Sequence, residues 1–399
     1  MNVTIIGGGI TGISIARMLQ KRGVEFRILE KELEPGGLCR SIKYRGHNLD
    51  IGGGHFLYSK HKEFYDFIFE HIPENNFNKY DRISKINLGG NIIDYPIEIN
   101  INQLPFDIFF EYLDSIFTSG NRMGISAPQK YVDWIKWKLG EKIADNYMIP
   151  YNQKVWGKYF NEMDTKWLHK IPNIELKDIV KNLLNPTLRK DFYPHYYYYY
   201  PKEGGFQVIF DSILKKVESH LITNYSITSI ENINNKWLIN KEIESDIVIN
   251  TAPWESFNGI LTDDVFVQSV ETLKHNSIMV SLYNGDYTNN YHWLYDPDLN
   301  KTQHRSFFIK NFSPLSKKGG MSDETNIERF NNDEKYIYSH LNKFAYPVPV
   351  SGERIKDILD FYDAKKFYGL GRWGQWQYFN SDACIIECIK LMDRINKYI

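Results

Sequence analysis

Glycines at a fixed spacing near the N terminus offer the first recognisable chemistry in this sequence. Gly7, Gly9 and Gly12 follow a short apolar run and fit the pattern G-x-G-x-x-G. In a strand–turn–helix unit, the first glycine permits a tight turn, the second lets the backbone approach a pyrophosphate, and the third lets helix pack on strand. Glu30 ends the next apolar run, where a carboxylate can accept hydrogen bonds from a ribose. The spacing predicts a dinucleotide site; the alternative is a glycine turn in another α/β unit.

Two further glycine segments favour FAD over NAD as the dinucleotide. One segment contains Gly37 and Leu38, and the other contains Gly53 and Gly54. Because glycine lets a ligand lie close against the main chain, several such segments suit a large cofactor. Ordinary turns are the alternative for these two segments.

Composition narrows the class of protein. The chain has 399 residues, a formal net charge of −1 and 42% hydrophobic residues, enough for a large core divided among two or three subdomains. The near-neutral charge argues against a nucleic-acid partner. The chain has 3 cysteines, which show no metal-ligand or disulfide spacing and suit a reducing compartment. We see no secretory signal and no apolar stretch of about 18 residues, so we expect a cytoplasmic protein without a membrane span.

The pattern of strands, helices and glycine turns that must position these residues predicts an α/β fold. Its FAD-binding domain is assembled from separated segments. We expect an FAD-binding Rossmann-like domain from residues 1–90, 201–260 and 351–399, because glycine turns and apolar strands recur there. The helical pattern of residues 91–200 predicts an inserted substrate or lid domain. Residues 261–350 are rich in strand patterns and predict a substrate domain built on an antiparallel sheet.

Motifs in the middle and C-terminal parts of the chain are more specific than the glycines. They are DYP at 94–96, YNQKVWG at 151–157, WLYDP at 293–297, NFSP at 311–314, YPVP at 346–349 and GRWGQWQY at 371–378. In this order they resemble motifs of the flavin-dependent UDP-galactopyranose mutases and, more distantly, of protoporphyrinogen and amine oxidases. The resemblance covers nearly the whole chain.

The resemblance implies a site for the diphosphate of a nucleotide sugar. Arg305 matches the arginine that reaches the diphosphate, and guanidinium suits this role because it is always charged and forks onto phosphate oxygens. Tyr346 and Tyr378 match tyrosines that donate hydroxyls to the same group. A surface ion pair is the alternative for Arg305, and packing is the alternative for the tyrosines.

Other positions follow from the same resemblance. Asn152 and Trp156 match the segment near the nucleoside of the substrate, while Arg372 and Asp382 match positions near the flavin. His55 lies in the glycine loop that faces the isoalloxazine in the family. A structural histidine is the alternative for His55.

This sequence departs from the family pattern at three places. Phe312 stands where a third diphosphate tyrosine is expected, and Lys170 is the nearest cation to a missing mobile-loop arginine. The loop at 52–54 carries an additional glycine. These differences leave open another nucleotide-activated hexose, a deoxysugar or a heptose as substrate.

The chemistry implied by the resemblance is an isomerisation without net redox change. In the family, reduced FAD is the catalyst: its N5 attacks the anomeric carbon of a nucleotide-diphosphate sugar and expels the nucleoside diphosphate. The sugar ring then opens and closes again through a different hydroxyl, as furanose or pyranose. NAD(P)H or another donor would reduce the flavin, and cell-surface polysaccharide synthesis would use the product. Whether the protein forms a homo-oligomer is left open by the sequence.

Two other functions compete with this interpretation. An FAD-dependent oxidoreductase of the amine oxidase or protoporphyrinogen oxidase type would need an apolar cavity and no group that holds a diphosphate. A non-catalytic flavin or sugar-nucleotide binder would show no turnover.

Overall fold

The chain forms both strands and helices in the computed structural model, which describes residues 1–165, 167–168, 174–185 and 196–396. The strands are β1 (Asn2–Ile6), β2 (Glu25–Leu29), β3 (Ser41–Tyr44), β4 (His47–Asp50), β5 (Phe77–Asp81), β6 (Ser84–Leu88), β7 (Asn91–Asp94), β8 (Tyr197–Pro201), β9 (Leu221–Ile222), β10 (Ile230–Ile233), β11 (Lys236–Ile239), β12 (Ile243–Ser245), β13 (Ile247–Asn250), β14 (Lys274–Asn284), β15 (Trp293–Tyr295), β16 (Arg305–Phe308), β17 (Gly320–Asn326), β18 (Tyr336–Val348) and β19 (Phe367–Gly369). The helices are α1 (Ile10–Lys21), α2 (Lys62–His71), α3 (Phe106–Phe117), α4 (Tyr131–Leu139), α5 (Glu141–Ile143), α6 (Ile149–Trp156), α7 (Leu176–Leu184), α8 (Gln207–Leu214), α9 (Asp264–Val270), α10 (Ile309–Phe312), α11 (Ile355–Asp363), α12 (Gly371–Gly374) and α13 (Ser381–Ile395).

A five-stranded parallel sheet forms the first half of the protein. Its order is β19-β13-β1-β2-β9, and every neighbouring pair is parallel. Val3 and Ile5 of the central strand are fully buried, because helices cover this sheet. The strands come from distant parts of the chain, so the expected Rossmann-like domain built from separated segments is confirmed.

A seven-stranded sheet forms the second half, in the order β18-β14-β17-β16-β15-β6-β7. Its neighbouring strands are antiparallel except for β6 and β15, which run parallel. The parallel pair arises because the β6–β7 hairpin, from an early part of the chain, adds to the edge of a sheet formed much later. The expected sheet domain is therefore present with one parallel pair, and the exact domain limits stay a prediction.

Helices α3 to α7 form the inserted helical region and pack with the seven-stranded sheet around one apolar core, which includes Tyr131 and Trp156. Helix α6 is fixed by the fully buried Lys154, whose Nζ donates to the backbone carbonyls of Asp296 at 2.9 Å and Asp298 at 2.8 Å. These bonds hold the Asn152–Trp156 turn against the sheet.

Two general properties concern the helices and the cysteines. In the part of the chain that the structure describes, no helix combines the length and apolarity needed to cross a membrane. Cys39, Cys384 and Cys388 are all buried.

Candidate active site

The glycine turn after β1 is shaped by close backbone contacts. Gly7 has a φ of +105°, which favours glycine, and a Cβ on Gly12 would lie 2.0 Å from the Gly7 carbonyl oxygen. A Cβ on Gly9 would meet nothing within 4 Å, because this residue faces an open cavity. The first and third glycines therefore serve the turn itself, while the second leaves room for a ligand against the backbone.

Glu30 holds the glycine turn in addition to lining the cavity. One carboxylate oxygen accepts from the Gly8 amide at 2.6 Å, and the other accepts from the Glu32 amide at 2.9 Å. The second glycine segment joins the first through a bond from the Gly36 amide to the Gly8 carbonyl at 2.9 Å. Because a carboxylate has about four acceptor positions, Glu30 retains capacity for a hydroxyl ligand; its ribose contact stays a prediction.

The first cavity has a volume of about 790 Å³, at the upper end of the range usual for small-molecule sites. The predicted cofactor residues divide into three groups by position. Those that line this cavity are Gly7, Gly9, Glu30, Gly37, Leu38, His55 and Arg372. Gly54 lines the adjoining cavity, whereas Gly12, Gly53 and Asp382 are absent from both walls. A long groove bordered by glycine backbone fits an extended dinucleotide such as FAD.

A second cavity of about 350 Å³ adjoins the first. His55, Arg372 and Ser381 line both cavities, so the two meet at these side chains. The predicted substrate residues on its wall are Asn152, Arg305, Tyr346 and Tyr378. Trp156 lies behind the wall, with its ring centroid 6.0 Å from that of Tyr346 and 5.5 Å from that of Tyr378. Lys170 lies outside the described residues.

The guanidinium of Arg305 is fixed by a buried ion pair with Glu324. Its Nε donates to Glu324 Oε2 at 3.0 Å, while Oε1 of the same carboxylate accepts from the Gly54 amide at 2.7 Å. The Glu324 side chain is 1% exposed, whereas that of Arg305 is 21% exposed. Burial raises the pKa of Glu324, but the nearby Arg305 and His304 outweigh burial and hold this pKa well below its usual range. Glu324 therefore stays ionised and links the glycine loop to the arginine.

Tyrosine hydroxyls surround the same cavity. The rings of Tyr346 and Tyr378 lie 5.0 Å apart, and those of Tyr151 and Tyr295 lie 5.5 Å apart. Burial raises the pKa of Tyr151, Tyr346 and Tyr378, so these hydroxyls keep their protons and can donate to an anion. The sequence argument missed Tyr151 and Tyr295, although both lie inside the motifs that carry the resemblance. It also missed Glu324, for which no local signal existed.

His55 and Arg372 form the junction between the cavities. His55 Nδ1 is 2.9 Å from the Gly53 carbonyl oxygen; this oxygen can only accept, so Nδ1 carries the proton. Burial, with the nearby Arg372, lowers the pKa of His55 to about 4, which leaves a neutral ring at pH 7. Arg372 donates from Nε to Phe379 O at 2.6 Å and from Nη1 to Ala345 O at 2.9 Å. Both side chains therefore have fixed orientations.

Comparison with known proteins identifies the fold that carries these cavities. The family model described as "NAD(P)-binding Rossmann-like domain" matches residues 5–70. A solved structure of reduced UDP-galactopyranose mutase superposes with a TM-score of 0.86 and 22% identity, covering 100% of this chain and 94% of that chain. The chain has the fold of UDP-galactopyranose mutase. This confirms the resemblance predicted from the motifs.

Other proteins share the UDP-galactopyranose mutase fold or part of its sequence. A putative protoporphyrinogen oxidase from Exiguobacterium sp. 255-15 has a TM-score of 0.75 and 13% identity, covering 100% of this chain and 99% of that one. A probable UDP-galactopyranose mutase of Klebsiella pneumoniae is 20% identical over 98% of this chain and 94% of its own. The dTDP-fucopyranose mutase of Escherichia coli is 22% identical, but the match spans only 43% of this chain and 45% of that protein. At these identities the likeness establishes the fold.

Substitutions in the glycine turn should distinguish a glycine that leaves space for a ligand from a glycine that the fold itself requires. We expect Gly9→Val to fold with the thermal midpoint of the dinucleotide-free wild type, because its side chain enters open space. Bound dinucleotide should fall about 10-fold or more, which corresponds to roughly 1.4 kcal/mol. Gly12→Ala should instead lower the thermal midpoint, because its methyl group meets the Gly7 carbonyl. Full flavin content in purified Gly9→Val, measured by absorbance, would contradict this assignment.

A double-mutant cycle should detect the buried ion pair. Glu324→Gln leaves Arg305 without its counter-ion, and Arg305→Met leaves a buried carboxylate, so each should destabilise the protein by about 2–4 kcal/mol. The double variant removes both charges. Its loss in free energy of unfolding, measured in urea, should be smaller than the sum of the two single losses by about 1–3 kcal/mol. Strictly additive losses would show that the two side chains do not interact.

Proposed function

We propose that this chain is an FAD-dependent mutase that interconverts the pyranose and furanose forms of a nucleotide-diphosphate sugar, with the reduced flavin as the active form. The observation that carries the proposal is the meeting of the two cavities at His55 and Arg372. One cavity is bordered by glycine backbone that suits a dinucleotide, and the other contains Arg305 with tyrosine hydroxyls, which suit a diphosphate. A sugar between the two would reach both.

In the proposed reaction, no side chain of the protein acts as the nucleophile. Reduced FAD, when bound, would supply the nucleophile for the anomeric carbon. Arg305 would bind the diphosphate that leaves, because its charge is permanent and its position is fixed by Glu324. Tyr346 and Tyr378 would donate hydrogen bonds to the same oxygens. The neutral His55 and the fixed Arg372 would orient the sugar at the junction.

Other parts of the proposal rest on the family resemblance. Asn152 and Trp156 would support the nucleoside end, Lys170 would add a cation, and Asp382 would lie near the flavin. The names of the relatives, UDP-galactopyranose mutase and dTDP-fucopyranose mutase, support an isomerase that acts on nucleotide sugars. A cytoplasmic location, NAD(P)H as reductant, cell-surface polysaccharide synthesis and a homo-oligomer belong to the same proposal.

An FAD-dependent oxidoreductase is the second candidate. The likeness to the putative protoporphyrinogen oxidase favours it. An apolar substrate would, however, leave Arg305 and several tyrosine hydroxyls facing a ligand that cannot pair with them, at a cost in binding. The charged Arg305 and the tyrosine hydroxyls of the second cavity therefore favour the mutase.

Turnover of nucleotide sugars tests the proposal. The purified flavoprotein would be incubated with UDP-, dTDP-, CDP- and GDP-hexoses, with and without dithionite, and products separated by anion-exchange chromatography. We expect an isomeric product only after reduction. Arg305→Lys should lower kcat/KM about 10- to 100-fold, because an ammonium cannot fork onto the diphosphate.

The matched control is Arg354→Lys, which changes an arginine that pairs with Asp357 away from both cavities and should leave turnover unchanged. Absence of product with every sugar nucleotide, together with flavin reduction by an amine or a porphyrinogen, would favour the oxidoreductase instead.

A further inference from the structure

A third arginine on the wall of the second cavity has no role in the reaction proposed above. Arg82 lies between β5 and β6, is half-buried, and lines this cavity together with Arg305 and Arg372. Arg305 is assigned to the diphosphate and Arg372 to the junction between the cavities, so both of these charges already have a role. Because a guanidinium group pairs best with an anionic group, the third arginine indicates a further negative group on the ligand.

Four contacts with neutral side chains fix the guanidinium group of Arg82. Its Nε donates to Ser84 Oγ at 2.9 Å, and its Nη2 donates to the Tyr295 hydroxyl at 2.9 Å. Its guanidinium carbon lies 4.6 Å from the ring centroid of Tyr95 and 4.7 Å from that of Trp293. The two aromatic rings and the two hydrogen bonds hold the planar fork in one orientation. Arg82 therefore brings a positive charge of fixed orientation to the cavity wall.

Stacked rings connect Arg82 to the sugar end of the second cavity. Trp293, which carries the guanidinium group of Arg82, stacks on Phe56 with ring centroids 4.6 Å apart. Phe56 directly follows His55, which lies at the junction with the first cavity. The wall that carries Arg82 is therefore continuous with the junction where the proposed reaction places the sugar.

On its other side, Arg82 shares a tyrosine with the diphosphate arginine. The hydroxyl of Tyr295 accepts from Arg82, and the guanidinium carbon of Arg305 lies 6.0 Å from the ring centroid of the same tyrosine. Arg82 thus lies on the wall between the junction and the position of the diphosphate. A sugar that has its anomeric carbon at the flavin and its diphosphate at Arg305 would direct other substituents toward this wall.

We propose that the substrate is the nucleotide-activated form of a hexuronic acid, whose C6 carboxylate pairs with Arg82. A carboxylate accepts two parallel hydrogen bonds from a guanidinium group, which a primary alcohol cannot do. A 6-deoxysugar would leave the guanidinium group facing a methyl group, at a cost in desolvation. The carboxylate takes no part in ring opening or closure, so Arg82 determines substrate specificity without contacting the reacting atoms.

This inference rests on the proposed function, and two substrates that differ only at C6 test it. The flavoprotein, reduced with dithionite, would be incubated with UDP-galacturonate or UDP-galactose, and the isomeric products separated by anion-exchange chromatography. We expect kcat/KM for UDP-galacturonate to exceed that for UDP-galactose about 10- to 100-fold, because only the uronate pairs with the buried fork.

Two variants of Arg82 should change this preference to different extents. Arg82→Met keeps much of the apolar stem but removes the charge, so it should lower kcat/KM about 10- to 100-fold for UDP-galacturonate and far less for UDP-galactose, which abolishes the preference. Arg82→Lys keeps the charge but loses the fork, so it should retain part of the preference.

The matched control is Arg394→Met. Arg394 also lies over a tyrosine, at 5.4 Å from the ring centroid of Tyr368, but it lines neither cavity, so turnover of both sugars should be unchanged. A wild-type preference for UDP-galactose, or equal losses for both sugars in Arg82→Met, would overturn the acidic-sugar assignment and leave the proposed function standing. Absence of product from both sugars would also overturn this assignment, whereas the proposed function fails only if every sugar nucleotide of the wider set stays unconverted.

Discussion

The carboxylate of Glu324 fixes the two cavities of this protein relative to each other. One oxygen accepts from the Gly54 amide in the loop that ends at His55, and the other accepts from Arg305. A buried charge is tolerated only where its partners are complete, so the loop and the arginine cannot move independently without a large loss of stability. The position of Arg305 relative to the glycine loop at Gly54 is therefore set by its ion pair with Glu324, which joins strands β16 and β17.

The other side chains on the wall of the second cavity are also held in defined states. Burial keeps the tyrosine hydroxyls protonated and the His55 ring neutral, so the second cavity offers hydrogen-bond donors beside the guanidinium groups of Arg82, Arg305 and Arg372. Lys154 and its carbonyl partners hold α6, so that Tyr151 and Asn152 form the opposite wall. Such preformed donors suit a ligand that carries negative charge.

The sequence predicted those features that depend on local geometry. Gly7 and Gly12 are required by a turn of a few residues, so their spacing alone indicates the strand–turn–helix unit. Arg305 was found only through the family motifs. Glu324 was missed because its partners lie far away along the chain, at positions 54 and 305. The parallel pairing of β6 with β15 was missed for the same reason, since alternation within a strand carries no information about a distant partner.

The most direct test of this account is a crystal structure of the reduced flavoprotein with UDP. We expect FAD along the Gly9 groove, with its isoalloxazine at His55 and Arg372. The UDP diphosphate should contact Arg305, Tyr346 and Tyr378, with Glu324 still bonded to the Gly54 amide. A diphosphate bound elsewhere, or an isoalloxazine separated from the second cavity, would contradict the claim that the two cavities form one active site.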